Sequence, residues 1–328
     1  MKGKRYILAL LICMFSLASC ASPLKKSLVN EEIPQFNGSV TPITIPIQLE
    51  YKPVKSKINI SMAFDYNLIL NTGSGKKSHL LSESETSMKL ISDIKKLGDM
   101  LIWNMKVIEY TENNNAHKPH IPIAEFTLLT DKYGDIKESE ISLPFFEQPQ
   151  VRSKIGEKEF ENMKKEIKES LQLSSTLPNT PVITGDYFIK TRAFESLLTD
   201  SFFNLSGKEI PEEPASIVKG WAYYDDRKVL VSSIDHTSST DAFFNKYIVD
   251  DRMKLQMQVK GYNLSDAETL MLCRGEIFVK TGFAGIQGEA MKELWRDFKI
   301  KGEIPTDPST SADFFLRARI TVSSKLEN

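Results

Sequence analysis

The residues best suited to chemistry lie in one short polar stretch, SSIDHTSS, at residues 232–239. It offers the side-chain types of a hydrolase triad, namely hydroxyls, a carboxylate and an imidazole, in Ser232, Ser233, Ser238, Asp235 and His236. Triads, however, are assembled from segments that are distant in the chain, and the Gly-x-Ser-x-Gly nucleophile turn does not occur in the sequence. We interpret the stretch as a strand end and loop, and we expect a protein that is not an enzyme and has no catalytic residue.

Metal and phosphate sites are not indicated either. His117 and His120 flank a proline and have no acidic third ligand nearby, so we expect a solvated loop. The acidic pairs Asp225-Asp226 and Asp250-Asp251 lack the alternating ligands of a calcium loop and suit turns. Residues 72–77, TGSGKK, lack the spacing of a phosphate loop and also suit a turn. The sequence predicts no metal and no cofactor.

Cys20 is the residue whose surroundings are most informative. Lys2, Lys4 and Arg5 precede an apolar run from Tyr6 to Leu17. That run is shorter than the roughly 20 residues that a membrane-spanning helix needs, so residues 1–19 are predicted to be a secretory leader. An ordinary secreted protein, in which this cysteine has no role, is the alternative interpretation.

The sequence Leu17-Ala18-Ser19-Cys20 resembles the lipobox of bacterial lipoproteins. The resemblance implies that the sulfur of Cys20 receives a diacylglycerol, that the leader is removed, and that the new N-terminus is acylated, for example with palmitate. The protein would then be anchored to a membrane of the cell envelope. Ala21 and Ser22 replace the aspartate that signals inner-membrane retention, which favours the periplasmic face of the outer membrane. In a cell with one membrane, the outer face of that membrane is expected.

Composition predicts a protein with a sizeable core and no nucleic-acid partner. The charges are balanced, with 42 Lys and Arg against 43 Asp and Glu, and 41% of the residues are hydrophobic. Cys273 would be the only other cysteine of the mature chain, so no intramolecular disulfide is expected, and its apolar neighbours favour a core position.

Four segments are predicted. Residues 1–19 form the leader, and 20–45, which contain three prolines, form a lipidated flexible tether. An N-terminal β-rich subdomain follows at 46–150, and a C-terminal α+β subdomain occupies 151–328.

The hydrophobic pattern predicts an α+β fold with long, curved antiparallel strands and a few helices. Residues 58–70 alternate strictly between apolar and polar, and similar alternation recurs near residues 101–107, 253–260 and 316–323. Further strands are expected in hairpins that turn at residues 131–134 and at Asp225-Asp226. Helices are predicted over residues 82–97, 157–173 and near 289–298. A divergent duplication, which would give two similar halves, is one interpretation of this pattern.

The segment LPNTPVITGDYF resembles a step found in uncharacterised exported β-rich bacterial lipoproteins. The shared pattern is Pro-x-x-Pro-Val-x-x-Gly-Asp followed by an aromatic residue. Its members here are Pro178, Pro181, Val182, Gly185 and Asp186, with Tyr187 or Phe188 as the aromatic. The resemblance implies a curved antiparallel sheet backed by helices and no known activity.

Methionines on the predicted strands suggest two interpretations of the sheet's apolar face. Met62, Met105, Met253 and Met257 occupy apolar positions, and methionine suits both irregular cores and adaptable binding surfaces. The face is either a core closed by helices or the lining of a lipid-sized cavity. Function follows the same division: a binding or scaffold lipoprotein with an envelope protein partner is our first hypothesis, and a carrier or sensor of an apolar ligand is the alternative.

Overall fold

The chain folds into one large antiparallel sheet with helices packed against it. The computed structural model describes residues 32–113, 115–117, 121–172, 176–190, 215–241, 254–297 and 309–327. Cys20, His120, Met253 and the pair Asp250-Asp251 lie outside these residues. Within the described ranges, no helix combines the length and the apolar character needed to cross a membrane.

The described part of the chain contains twelve strands and four helices. The strands are β1 (Val54–Thr72), β2 (Gly75–Leu97), β3 (Met100–Glu112), β4 (Asn115–His117), β5 (Ala124–Thr130), β6 (Ile136–Ser142), β7 (Tyr187–Lys190), β8 (Ala215–Tyr224), β9 (Arg227–Asp241), β10 (Lys254–Asp266), β11 (Leu272–Ile286) and β12 (Ser311–Glu327). The helices are α1 (Pro144–Glu147), α2 (Pro149–Ile155), α3 (Glu157–Gln172) and α4 (Gly288–Asp297).

The first and last strands meet in the middle of the sheet. Its order is β6-β5-β3-β2-β1-β12-β11-β10-β9-β8-β7, with the short β4 paired to β3 beside this path. Phe64 of β1 pairs with Ser84 of β2 on one side and with Ala318 of β12 on the other. Strands from both predicted subdomains therefore belong to a single sheet.

The prediction of an α+β fold is wrong, because the molecule is mostly β. Part of the error lies in residues 82–97, which were predicted to be a helix but belong to β2. Ser84, Thr86, Ser92 and Ile94 are buried in a strand-like every-second-residue pattern. Serine and threonine are weak helix formers, and β2 pairs along both edges with β1 and β3. These pairings outweigh the helical spacing of the segment's apolar residues.

Other local predictions are confirmed. The turn at residues 131–134 joins β5 to β6, and Asp225-Asp226 joins β8 to β9. Both aspartates have positive φ, 47° and 60°, as two-residue hairpin turns require. The helices predicted over residues 157–173 and near 289–298 correspond to α3 and α4.

The sheet is strongly curled, as hydrogen bonds at one end show. The amide of Tyr51 donates to the carbonyl of Lys132 in the β5–β6 turn at 2.8 Å, and the amide of Lys52 donates to the carbonyl of Thr269 in the β10–β11 turn at 3.4 Å. In a flat sheet these turns would be about six strand spacings, or roughly 29 Å, apart. Consecutive residues bridge them, so the sheet forms a deep trough. We call its concave side the inner face and its convex side the outer face.

Residues 32–53, the N-terminal segment, belong at least partly to the folded body. Thr41 exchanges two backbone hydrogen bonds with Trp221 of β8, at 2.7 and 2.8 Å. The amide of Ile43 donates to Thr184 Oγ1 at 2.7 Å. Gly220 permits this approach, since a Cβ there would lie 2.2 Å from the carbonyl oxygen of Thr41. The range predicted as a tether, 20–45, thus includes residues held against the sheet.

The Pro-Val-Gly-Asp step forms a corner at one end of the trough. The Gly185 amide donates to the carbonyl of Val218 at 2.9 Å, and the Asp186 carboxylate accepts from the amide of Ile183 at 2.9 Å. Phe188 is buried beside Val218, whereas Tyr187 is exposed, so Phe188 is the aromatic of the step. The step has a structural role in joining β7 to β8.

Candidate ligand-binding face

The inner face is apolar across most of the sheet. Side chains from seven strands share one buried cluster, although β5 and β9 are seven places apart in the strand order. Its strand members include Phe64, Val107, Tyr110, Ile234, Met257, Val259, Val279 and Ala318.

The register explains why these residues meet. Phe64, Ala318, Val279 and Val259 are direct neighbours across β1, β12, β11 and β10. Because side chains alternate along a strand, the residues two positions away continue the same face. Met257, which was predicted to lie on an apolar face, is buried in the same cluster two residues before Val259.

Helix α3 covers the middle of the inner face with one apolar side. Phe160 and Met163 are buried, and Ile167 packs against the same cluster. The spacing of these three residues places them on one side of the helix, as the sequence predicts. The Arg152 guanidinium lies 3.7 Å from the centre of the Phe160 ring and pairs with Glu157.

Helix α4 covers one end of the inner face. Its Met291 and Trp295 pack with Leu68 of β1, Phe283 of β11 and Phe314 of β12. The indole Nε1 of Trp295 is buried and has no hydrogen-bond partner among the described residues.

Polar atoms interrupt the apolar surface on the β9 side of the trough. His236 and Ser238 share a side of β9 with the buried Ile234, and Thr281 shares a side of β11 with Val279. His236 Nε2, Ser238 Oγ and Thr281 Oγ1 are buried without a hydrogen-bond partner in the described structure. A buried polar group without a hydrogen bond lowers the stability of the fold by about 1–3 kcal/mol. These three atoms are therefore a place where a bound group could add hydrogen bonds.

The outer face carries a buried ion pair at its centre. Arg317 of β12 donates from Nε and Nη2 to both oxygens of Asp65 on β1, each at 2.7 Å. Arg319 pairs with Glu276 of β11 and donates to the backbone carbonyl of Glu32 at 2.9 Å. Asp65 lies on the polar side of the alternating segment 58–70, but its side chain is 0% exposed.

The structure does not assemble the sequence candidates into a catalytic centre. The stretch 232–239 is a continuous part of β9 rather than a strand end and loop, because β10 pairs with it through Asp241. Residues 72–77 contain the turn between β1 and β2, at Gly73-Ser74, as predicted. The described ranges hold no group of three His, Cys, Asp or Glu residues placed to bind a metal.

Cys273 is a buried free thiol, in agreement with its expected core position. Burial raises the pKa of this thiol to about 11. The thiolate is the reactive form, so the side chain acts as a small hydrophobic residue at neutral pH.

Sequence reasoning missed Thr281 and the partnership of Asp65 with Arg317. Thr281 stands in the run VKTGFAG, where nothing separates it from an ordinary strand threonine. Asp65 and Arg317 are 252 positions apart and meet only because β1 and β12 are neighbours.

Comparisons with known proteins give only distant likenesses. No family model and no curated protein matches the chain. A solved structure of lipid–protein interactions in lipovitellin aligns with 85% of this chain at 10% identity and a TM-score of 0.35, and the match spans 26% of the lipovitellin chain.

Two further structures align over most of both chains. An outer membrane lipoprotein-sorting protein domain from Vibrio parahaemolyticus covers 82% of this chain and 86% of its own, at 9% identity and a TM-score of 0.15. DynF, from the dynemicin biosynthesis pathway of Micromonospora chersina, covers 91% and 92%, at 10% identity and a TM-score of 0.16. Likeness at this level supports no conclusion about function.

Proposed function

We propose that this protein is a cell-envelope lipoprotein, held to the membrane by acyl chains on Cys20, whose trough binds an apolar ligand without changing it chemically. The periplasmic face of the outer membrane is the location that the residues after Cys20 favour. The observation that supports binding is the nature of the cover on the apolar inner face, which is a helix with one apolar side rather than a second sheet.

The energetics favour a cover that a ligand can replace. Helix α3 contributes Phe160, Met163 and Ile167 to the inner-face cluster. Burial of each such side chain contributes about 1.5–3 kcal/mol. A buried acyl chain contributes about 0.8 kcal/mol per methylene, so roughly six to eleven methylenes would match the helix's contribution. A single fatty acyl chain is therefore long enough to compete for the inner face.

Binding, rather than catalysis, also suits the chemistry of the inner face. A catalytic site brings several titratable side chains together in a cleft. The inner-face cluster is instead formed by aliphatic, aromatic and methionine side chains.

Lipid mass spectrometry tests the proposal directly. The mature chain with Cys20→Ser, purified from the envelope without detergent, is denatured and extracted. We expect about one apolar ligand per chain, and uptake of the fluorescent hydrocarbon 1-decylpyrene by ligand-stripped protein. Met257→Lys, on the inner face, should lose both, whereas Gln258→Lys, on the opposite side of β10, should keep both. Absence of ligand and of decylpyrene uptake in the parent protein would contradict the proposal.

The anchor is tested separately by cell fractionation. Cys20→Ser should release the protein from the membrane fraction and abolish palmitate labelling. Unchanged retention with unchanged labelling would show that the anchor lies elsewhere.

A scaffold role is the second candidate, because apolar side chains are exposed around the paired segments 43–47 and 182–184. Ile45 is 77% exposed, Tyr187 60% and Ile183 37%, and Ile45 and Ile183 belong to these paired segments. A photo-crosslinker at Ile45 should capture one dominant envelope protein, whereas one at the exposed Lys57 should not. Equal capture at both positions would reject this role.

A further inference from the structure

We infer that His236, Ser238 and Thr281 form a hydrogen-bonding subsite for the neutral polar linkage of a diacylated ligand, such as the two ester carbonyls of a diacylglycerol. This inference rests on the proposed binding of an apolar ligand and adds the chemical class of that ligand. It also gives a role to the polar stretch of β9.

The three side chains lie together on one part of the inner face. His236 and Ser238 are two residues apart and therefore point to the same side of β9. Ser238 pairs with Met257 of β10, and Met257 pairs with Thr281 of β11. Ser238 and Thr281 thus stand on either side of Met257, about 10 Å apart at two strand spacings.

Their strand neighbours offer them no hydrogen bond. His236 pairs with Val259, and Ser238 pairs with Met257. Thr281 pairs with Met257 on one side and with Leu316 on the other. Where a paired strand is described beside them, rotation of either hydroxyl therefore finds only apolar side chains, and the three atoms have no hydrogen-bond partner within the described structure.

Three hydroxyls on the β1 and β2 part of the inner face behave differently, whereas Ser232 Oγ of β9 also lacks a partner in the described structure. Thr86 Oγ1 donates to the carbonyl of Met62 at 3.4 Å. Ser56 and Ser92, which also lack partners, face each other directly across β1 and β2, so a hydroxyl rotation can pair them. The polar atoms on β9 and β11 have no such solution within the sheet.

The composition of the subsite selects a neutral ligand group. No charged side chain lies on the inner side of β9 to β12 among the register partners of these residues, which are Val259, Met257, Leu316 and their apolar neighbours. An anionic headgroup would be left without a counter-charge there. Ester or amide carbonyls accept hydrogen bonds from serine, threonine and histidine without bringing a charge. Because one acceptor atom cannot span about 10 Å, two carbonyls are expected.

A displacement assay with a matched pair of ligands tests the subsite. Protein carrying Cys20→Ser is stripped of lipid and loaded with 1-decylpyrene, which is then displaced by 1,2-dioctanoylglycerol or by 1,2-di-O-octylglycerol. The two competitors have chains of the same carbon number, but only the first has carbonyl acceptors. We expect the parent protein to prefer the diester by about tenfold or more, since each hydrogen bond contributes about 1 kcal/mol.

Two double variants locate the preference. Ser238→Ala/Thr281→Val should lower it to within about twofold while decylpyrene still binds. Thr237→Val/Ser239→Ala, on the exposed side of β9, should keep it. Thr281→Val alone, which nearly conserves volume, should lose part of the preference if the double variant fails to fold.

The outcomes separate the inference from the proposed function. No binding of decylpyrene to the parent protein overturns the proposed function. Binding of decylpyrene with equal displacement by diester and diether overturns the subsite alone. A preference that survives the Ser238 and Thr281 substitutions also overturns it.

Discussion

The two faces of the central strands satisfy their polar groups in opposite ways. On the outer face, Arg317 and Asp65 form two hydrogen bonds with each other, and Arg319 pairs with Glu276 and with the N-terminal segment. On the inner face, Ser238 and Thr281 present buried hydroxyl oxygens that have no hydrogen-bond partner in the described structure.

This difference concerns the polar groups at the centre of each face. The buried charges of Asp65 and Arg317 have partners supplied by the chain, whereas Glu83 Oε2 and Asn71 Oδ1, nearer the β1–β2 turn on the outer face, are buried without one among the described residues. The inner face is apolar but contains polar atoms whose hydrogen bonds are unmade. A surface that is optimal for folding alone would not retain them. The contrast directs a search for ligands to the inner face.

The largest expected effect comes from breaking the outer-face ion pair. Arg317→Met should lower the free energy of unfolding by about 3–5 kcal/mol, because it leaves the Asp65 carboxylate buried without its partner. Chemical denaturation followed by circular dichroism measures the change. The double variant Asp65→Leu/Arg317→Met should recover much of the loss, since no charge is then left buried.

An exposed pair on the same two strands provides the control. Lys57 pairs with Glu327 at 2.7 Å, with side chains 61% and 41% exposed. Lys57→Met should therefore change stability by less than about 1 kcal/mol. If Arg317→Met costs no more than Lys57→Met, the outer face is not held by its buried ion pair.

A smaller loss of stability is expected when the contact between the N-terminal segment and β8 is disturbed. Gly220→Ala should destabilise the protein by about 1–3 kcal/mol, because φ is 140° and the added Cβ would meet the Thr41 carbonyl. Gly73→Ala, in the β1–β2 turn, has open space around its Cβ and should have little effect. Equal thermal melting of the two variants would show that the segment's contact with β8 contributes little.

The strands were predictable where one face is apolar and the other polar. Alternation around Met257 and Val259 identifies β10, and the same pattern identifies β1. Apolar–polar alternation does not identify β2, because Ser84 and Thr86 occupy buried positions and weaken the period-two pattern. The remaining apolar residues then fit a helix by chance, and only pairing with β1 and β3 decides the structure.

The candidate site was less predictable than the strands. The sequence SSIDHTSS shows that these residues are polar, but which of them face the inner side of the sheet depends on how β9 pairs with β10. An unmade hydrogen bond is a property of three-dimensional surroundings, so Thr281 looks like any strand threonine until Met257 and Leu316 are seen beside it. The pair of Asp65 and Arg317 was hidden for the same reason.

The smallest expected effect is the change in the free energy of unfolding caused by Thr281→Val, and its sign shows whether this hydroxyl has a partner. Thr281→Val should raise the free energy of unfolding of ligand-stripped protein by up to about 1 kcal/mol, because it removes a buried hydroxyl that has no partner. Thr237→Val, on the exposed side of β9, should stay within about 0.5 kcal/mol of the parent. Addition of 1,2-dioctanoylglycerol should reverse the order of parent and Thr281→Val, since only the parent hydroxyl then gains a carbonyl partner. Loss of stability in the stripped Thr281→Val protein would mean that the hydroxyl is already satisfied, and the contrast between the two faces would no longer hold at this position.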